Sequence, residues 1–120
     1  MTELQMTTRF RIHEGRSDEF MRLARRSMEI ARERDSGTLQ YDWFMSADGT
    51  ECVLRERYRD SAAVLEHAAN IGELMPDFMA VCVPDVEIYG APSEELRQAL
   101  AGLAPRVYAA YQSLESKAPA

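Results

Sequence analysis

What this 120-residue chain lacks narrows its class before anything it contains does. No stretch approaches the ~18 consecutive apolar residues of a membrane-spanning helix. The opening MTELQMTTRF has no charged-then-apolar leader pattern, so a soluble cytoplasmic protein is expected. Lysine is nearly absent: Lys117 stands alone among 14 basic residues, and 20 acidic residues bring the net charge to −6. That balance gives little electrostatic attraction to nucleic acid or an anionic membrane, and neither is expected as a partner. Cysteine is limited to Cys52 and Cys82. One falls in a predicted strand and the other near a strand start, which fits two buried reduced thiols better than a disulfide. His13 and His67 are the only histidines, neither at a ligand spacing with Cys, Asp or Glu, so no metal is expected. The six glycines are scattered at breaks. They form no phosphate-cradling loop, dinucleotide fingerprint or Gly-x-Ser-x-Gly elbow, and no cofactor is expected.

What is present reads as one domain over 1–120, with a core at about residues 5–90 and a C-terminal helix at about 93–114. The most informative stretch is TLQYDWFMSADGTECVLRERY, Thr38 to Tyr58, two alternating runs joined by Asp48-Gly49. A two-residue turn there pairs Ala47 with Thr50. It then sets Met45 against Cys52, Trp43 against Leu54, Tyr41 against Glu56 and Leu39 against Tyr58. The other face matches Phe44 with Val53, Asp42 with Arg55 and Gln40 with Arg57, a complementary cross-strand charge pair among them. The same register strands the carboxylate of Glu56 on the apolar face. There it needs a partner or a raised pKa, and either marks it for function.

Before the hairpin, about residues 5–13 alternate as a strand, with Met6, Thr8, Phe10 and Ile12 on one face. Ser17 is placed to cap a helix that starts with Asp18 and Glu19 and runs to about Asp35. Its inward stripe is Phe20, Leu23, Ala24, Ser27, Ile30 and Ala31, and Gly37 closes it as a C-terminal cap. After the hairpin, Asp60 or Ser61 caps a helix to about Asn70. A short irregular or helical piece, Glu73 to Ala80, follows Gly72, and Val83 to Tyr89 forms the last strand. Ser93 then caps a helix to about Leu103, which Pro105 kinks or restarts as far as about Leu114, with a frayed tail after Ser116.

The order β-α-β-β-α-β is the α+β, ferredoxin-like split βαβ arrangement: an antiparallel four-stranded sheet, helices on one face, plus the C-terminal helix. The uncovered face would carry Thr7, Arg9, Arg11, Asp42, Phe44, Val53, Arg55, Arg57, Glu87 and Tyr89. That mixture is too charged for a dry core and too apolar for a bare surface, so a homodimer packed through this open sheet face is expected.

Two segments carry a family resemblance: Gly37-Thr38-Leu39-x-Tyr41-x-Trp43, and Glu56-x-Tyr58-x-Asp60-Ser61 through His67-x-x-Asn70. Over roughly residues 6–108 the chain resembles the antibiotic biosynthesis monooxygenase family of small dimeric α+β barrels, nearest its quinol monooxygenase branch. The resemblance implies oxygenation of an electron-rich phenol or quinol by dioxygen without flavin, haem or metal. An ionised phenol can itself pass an electron to dioxygen, so the protein must bind the ring, help remove a proton and exclude water. Haem-degrading relatives use an asparagine on the first strand. Here that strand offers Arg9, Phe10, Arg11 and Ile12, which counts against haem degradation.

For such chemistry the residues expected at the site are His67 and Glu56 as catalytic groups and Trp43, Tyr41, Tyr58 and Asn70 as substrate contacts. His67 is the natural base, with an unperturbed pKa of ~6.5 and helical spacing to Val64 and Ile71. Glu56 is its orienting partner, a base itself, or a buried partner of Tyr41. Trp43 is a pocket wall or a core tryptophan. Tyr41 and Tyr58 donate to substrate or satisfy Glu56, and Asn70 orients a substrate oxygen or caps its helix. Met75, Phe78 and Met79, beside Pro76, are placed as a lid. Beside the oxygenase stand two other readings: a non-catalytic binder of small aromatics, and an oxygen-independent isomerase, cyclase or decarboxylase using Glu56 and His67.

Overall fold

The computed structural model describes residues 3–115. In chain order it contains β1 (Leu4–Ile12), α1 (Ser17–Arg34), β2 (Thr38–Met45), β3 (Glu51–Tyr58), α2 (Ser61–Ile71), α3 (Met75–Val81), β4 (Cys82–Tyr89), α4 (Glu94–Ala99) and β5 (Arg106–Tyr108). Short 3₁₀ turns at Gly72–Leu74 and Ala101–Leu103 precede α3 and follow α4. The sheet order is β2-β3-β1-β4-β5, with antiparallel pairing except for the parallel β4–β5 edge. The split βαβ arrangement is therefore present, and the sheet has five strands instead of the expected four. Among the described residues no helix is long and apolar enough to cross a membrane.

The alternation in β1 places Met6, Thr8, Phe10 and Ile12 on the helix-covered face, all of them buried. Against it α1 buries Phe20, Leu23, Ser27, Ile30 and Ala31, the stripe that its helical spacing sets on one side. Its N-terminus differs from expectation. Ser17 lies inside the helix, Arg16 occupies the cap position without a side-chain cap bond, and the Arg16–Glu19 pair (2.6 Å) braces the first turn. Asp60 does cap α2, accepting from the Ala63 N–H at 2.9 Å. Cys52 and Cys82 are buried free thiols on strands either side of β1, paired with Phe10 and Ile12. Two strand spacings, about 10 Å, put them beyond disulfide reach. Burial pushes both thiols up to about 11.

The hairpin holds the expected register from Gln40–Arg57 through Met45–Cys52. Its turn is different: Gly49 N–H donates to Ser46 O (3.0 Å), so Ala47-Asp48 are the central residues and Gly49 follows with φ 73°. The Asp48 carboxylate organises the loop by accepting from both Thr50 N–H and Oγ. Register is lost at the other end, where Thr38 and not Leu39 faces Tyr58. Leu39 bulges out and is 52% exposed, which lets Thr38 turn inward to Asp35 (2.7 Å).

The C-terminal region departs most. Ala104 adopts φ 47° before Pro105, whose ring disfavours helical backbone in the preceding residue. The expected helix to Leu114 therefore ends, and Arg106–Tyr108 add to β4 instead. Arg106 pairs with Asp85 (2.9 Å) and Glu87 (3.2 Å), and Tyr108 stacks on Tyr89. The expected fraying after Ser116 lies outside the described residues. On the open sheet face Phe44 is 55% exposed, while Thr7 alone of the expected face residues is buried.

Gly37 is not a helix cap; Asp35, in extended backbone, fills that position. A Cβ on Gly37 would lie 2.5 Å from Ala63 Cβ, so this glycine is what lets α2 close on the α1–β2 turn. Gly37→Ala is expected to destabilise the fold by about 1–3 kcal/mol, read from urea unfolding. Pairing it with Ala63→Gly should recover part of that loss; additivity of the two changes would refute the contact.

Candidate active site

Between the sheet and the helices lies a cavity of about 310 Å³. Its walls include five of the six expected site residues: Tyr41, Trp43, Glu56, Tyr58 and His67. Asn70 is not among its lining residues. It donates its amide to Asp35 Oδ1 at 2.9 Å, and so neither reaches the cavity nor caps α2. Met79 (49% exposed) and Ala99 line the cavity and face solvent as well, which places its opening between α3 and α4. The stretch expected as a lid is an ordered helix: Met75, Phe78 and Met79 project from α3 along the cavity wall.

The polar centre is a carboxylate that sequence reasoning passed over. Asp35, its side chain only 2% exposed, accepts from Thr38 Oγ (2.7 Å), Asn70 Nδ2 (2.9 Å) and His67 Nδ1 (2.7 Å). Burial favours its neutral form, but the hydrogen bonds from Asn70, Thr38 and His67 outweigh that and hold the carboxyl below its ordinary value. An ionised Asp35 assigns the proton of a neutral His67 to Nδ1 and leaves the Nε2 lone pair free. Nε2 has no partner among the described residues, and His67 lines the cavity. One clue to Asp35 was legible: His67 and Asn70, three residues apart, share one face of α2 and could share one acceptor.

Glu56 is therefore not the partner of His67. It is 6% exposed and accepts from Tyr58 Oη (2.5 Å) and Thr8 Oγ (3.1 Å). Burial raises its pKa, against the opposing pull of those bonds and of His67. Tyr41 shares a 2.5 Å hydrogen bond with Ser27, also unanticipated, and its ring meets the His67 ring edge-on at 4.8 Å. Burial first, and then the field of Glu56, pushes both Tyr41 and Tyr58 well above their ordinary range, so both remain protonated donors. Trp43 stacks against Phe10 (5.7 Å) and Phe78 (6.1 Å), and its buried indole N–H has no partner among the described residues. Also among those residues, no three His, Cys, Asp or Glu side chains converge as a metal ion would need.

The arrangement presents an imidazole oriented by Asp35, a buried carboxyl at Glu56 and an aromatic wall at Trp43 within one largely apolar enclosure. Comparisons with known proteins agree with this architecture. The family profile described as antibiotic biosynthesis monooxygenase matches residues 5–78. No curated protein sequence matches the chain. MupZ from Pseudomonas fluorescens is 23% identical with a TM-score of 0.84, covering 100% of this chain and 99% of its own. SnoaB from Streptomyces nogalater, a cofactor-independent oxygenase, is 17% identical with a TM-score of 0.66, over 78% of this chain and 96% of its own. The Mycobacterium tuberculosis protein Rv0793 is 24% identical with a TM-score of 0.68, over 78% and 98%. At these identities the likeness establishes the fold.

A carboxyl whose folded-state pKa is raised stabilises the fold fully below its unfolded value of about 4.3, and that contribution fades as pH rises through the raised value. Glu56 should thus make the protein less stable towards alkaline pH. In urea unfolding between pH 5 and pH 8, Glu56→Gln is expected to gain stability relative to the parent as pH rises. A difference that stays constant with pH would show that Glu56 ionises normally.

Proposed function

Because the chain belongs to the antibiotic biosynthesis monooxygenase family, we propose that it oxygenates a phenol or hydroquinone with dioxygen and no bound cofactor. The observation that carries this reading is the Asp35–His67 pair opening onto an enclosed aromatic cavity. The ring packs against Trp43, and His67 Nε2 removes a phenolic proton while Asp35 positions the imidazole and stabilises its charged form. The resulting electron-rich phenolate is what can reduce dioxygen. For a hydroquinone, one oxygen atom enters the ring, the other leaves as water, and the four electrons come from the substrate. The unpaired Trp43 N–H offers a hydrogen bond to an oxygen of the occupant. A buried donor left unpaired costs about 1–3 kcal/mol, so an occupant bearing an acceptor there is favoured. Exclusion of bulk water by the apolar walls protects the intermediates.

The same His67 base and the buried Glu56 carboxyl could move protons without oxygen, as in an isomerisation or cyclisation, and their placement in one cavity favours keeping that second reading. Dioxygen uptake by the metal-stripped protein with hydroquinones, naphthols and anthrones separates them. We expect uptake above autoxidation that falls about a hundredfold or more in His67→Ala. Asp35→Asn should lower it less and shift the pH profile. Substrate conversion at undiminished rate under argon would move the assignment to the oxygen-independent class.

We also propose that two copies pack through the open sheet face. Exposed Phe44 lies there across from Val53. Arg9, Arg11, Arg55 and Arg57 occupy the central strands β1 and β3, while Asp42 on β2 and Asp85 and Glu87 on β4 flank them. A second sheet laid across this face can set acidic columns against basic ones and cover Phe44. Sedimentation at micromolar concentration should give the mass of a dimer; a monomer would remove the barrel.

A further inference from the structure

The cavity is chemically two-ended, and the polarity runs across the sheet. One row of paired residues passes Trp43, Leu54, Thr8 and Val86 from β2 to β4; the next passes Tyr41, Glu56, Met6 and Ile88. Polar and aromatic groups thus fill the β2–β3 end, where His67 meets Tyr41. At the β4 end the lining is Cys82, Pro84 and Val86 from the strand and Ala99, Leu100 and Leu103 from α4 and the turn after it. Leu100 and Leu103 pack on a mainly aliphatic cluster that includes Met6, Val64 and Val86, with Tyr58 as its one ring. The rings of Tyr41, Phe10 and Phe78, with Trp43 against them, belong to a separate cluster that also takes in Cys82 at the start of β4. From Trp43 to Val86 is three strand spacings, about 14 Å, longer than one six-membered ring requires. The family match ends at residue 78, ahead of α4, so this end is built by chain outside it.

We infer that Ala99, Leu100 and Leu103 form a chamber for an aliphatic substituent, and that the ligand is a phenol or hydroquinone carrying an alkyl chain. This rests on the ring position given under Proposed function. With the ring held at Trp43 and His67, the chain runs beneath β1 and β4 towards the opening between Met79 and Ala99. An aliphatic tail fits because no charged side chain lines that end and its thiol, Cys82, already donates to Phe78 O, so a polar substituent would lose its water and find no partner. Entry is then ring first, through a mouth of apolar side chains, and the tail closes the path behind it.

Trp43, the only tryptophan, reports ring binding directly. Quenching titrations with methyl-, butyl-, hexyl- and octylhydroquinone, each kept below its aggregation limit, should show affinity rising roughly fourfold per added methylene until the chamber is filled. The hexyl-to-methyl affinity ratio is expected to collapse by tenfold or more in Leu103→Phe, which fills the chamber. Ala99→Phe, at an exposed position, provides the same test should Leu103→Phe misfold. Affinity independent of chain length in the parent, or a ratio untouched by either folded variant, overturns the inference. Chain-dependent binding without oxygen uptake supports the chamber and defeats the oxygenase reading instead. If no hydroquinone binds, the chamber assignment falls. Oxygen uptake with anthrones then shows whether the proposed activity survives without it.

Discussion

The carboxylate of Asp35 is the point through which the site is assembled. It sits where α1 ends, reaches β2 through Thr38 and takes two bonds from successive turns of α2, so three elements meet on one buried charge. Leaving such a charge unsatisfied would cost several kcal/mol, which makes each donor a constraint on the position of its own element. Around it the Gly37–Ala63 approach and the Ser36–Glu66 hydrogen bonds fasten α2 to the same turn. Even the bulge at Leu39 follows from it, since Thr38 must turn inward to reach the carboxylate.

Two buried carboxyls in one site behave in opposite ways because their donors differ. Asp35 accepts three hydrogen bonds and stays ionised, whereas Glu56 has two hydroxyl donors that do not offset its burial. The result is a charge that orients His67 and, lining the same cavity as that histidine, a group disposed to keep its proton. Environments that push two acids apart are a common way of obtaining acid and base functions from ordinary residues. The apolar remainder of the cavity, by excluding water, acts on Glu56 and favours its neutral form.

The hairpin register was legible because the turn signal at Asp48-Gly49 centres the pairing, and strand alternation with period two then puts Tyr41, Trp43, Leu54 and Glu56 together on the core face. His67 was placed inward by helical spacing, and Trp43 and Tyr41 by the same pairing argument. Asp35 was not legible from its own surroundings: at the end of a helix rich in Arg and Glu it reads as one more solvated charge, and only the shared face of His67 and Asn70 hinted at an acceptor. Ser27 likewise reads as a small residue in an apolar stripe. Its bond to Tyr41 depends on how α1 lies across β2, a contact between elements that local pattern does not encode.

The C-terminal segment marks the same boundary. Ser93 and its two following glutamates specify a helix start, and the structure has one. Pro105 signals a break, but a break alone does not say where the chain goes next. The choice of strand over helix for Arg106–Tyr108 came from what lay beside it: an unpaired β4 edge, the acids Asp85 and Glu87 for Arg106, and Tyr89 for Tyr108. Periodicity and caps therefore specified the elements, their order and the inward faces, because those depend on residues near one another in the chain. The partner of His67, the fifth strand and the two-ended cavity depend on groups far apart in the chain, and they exist only once the sheet and helices have packed.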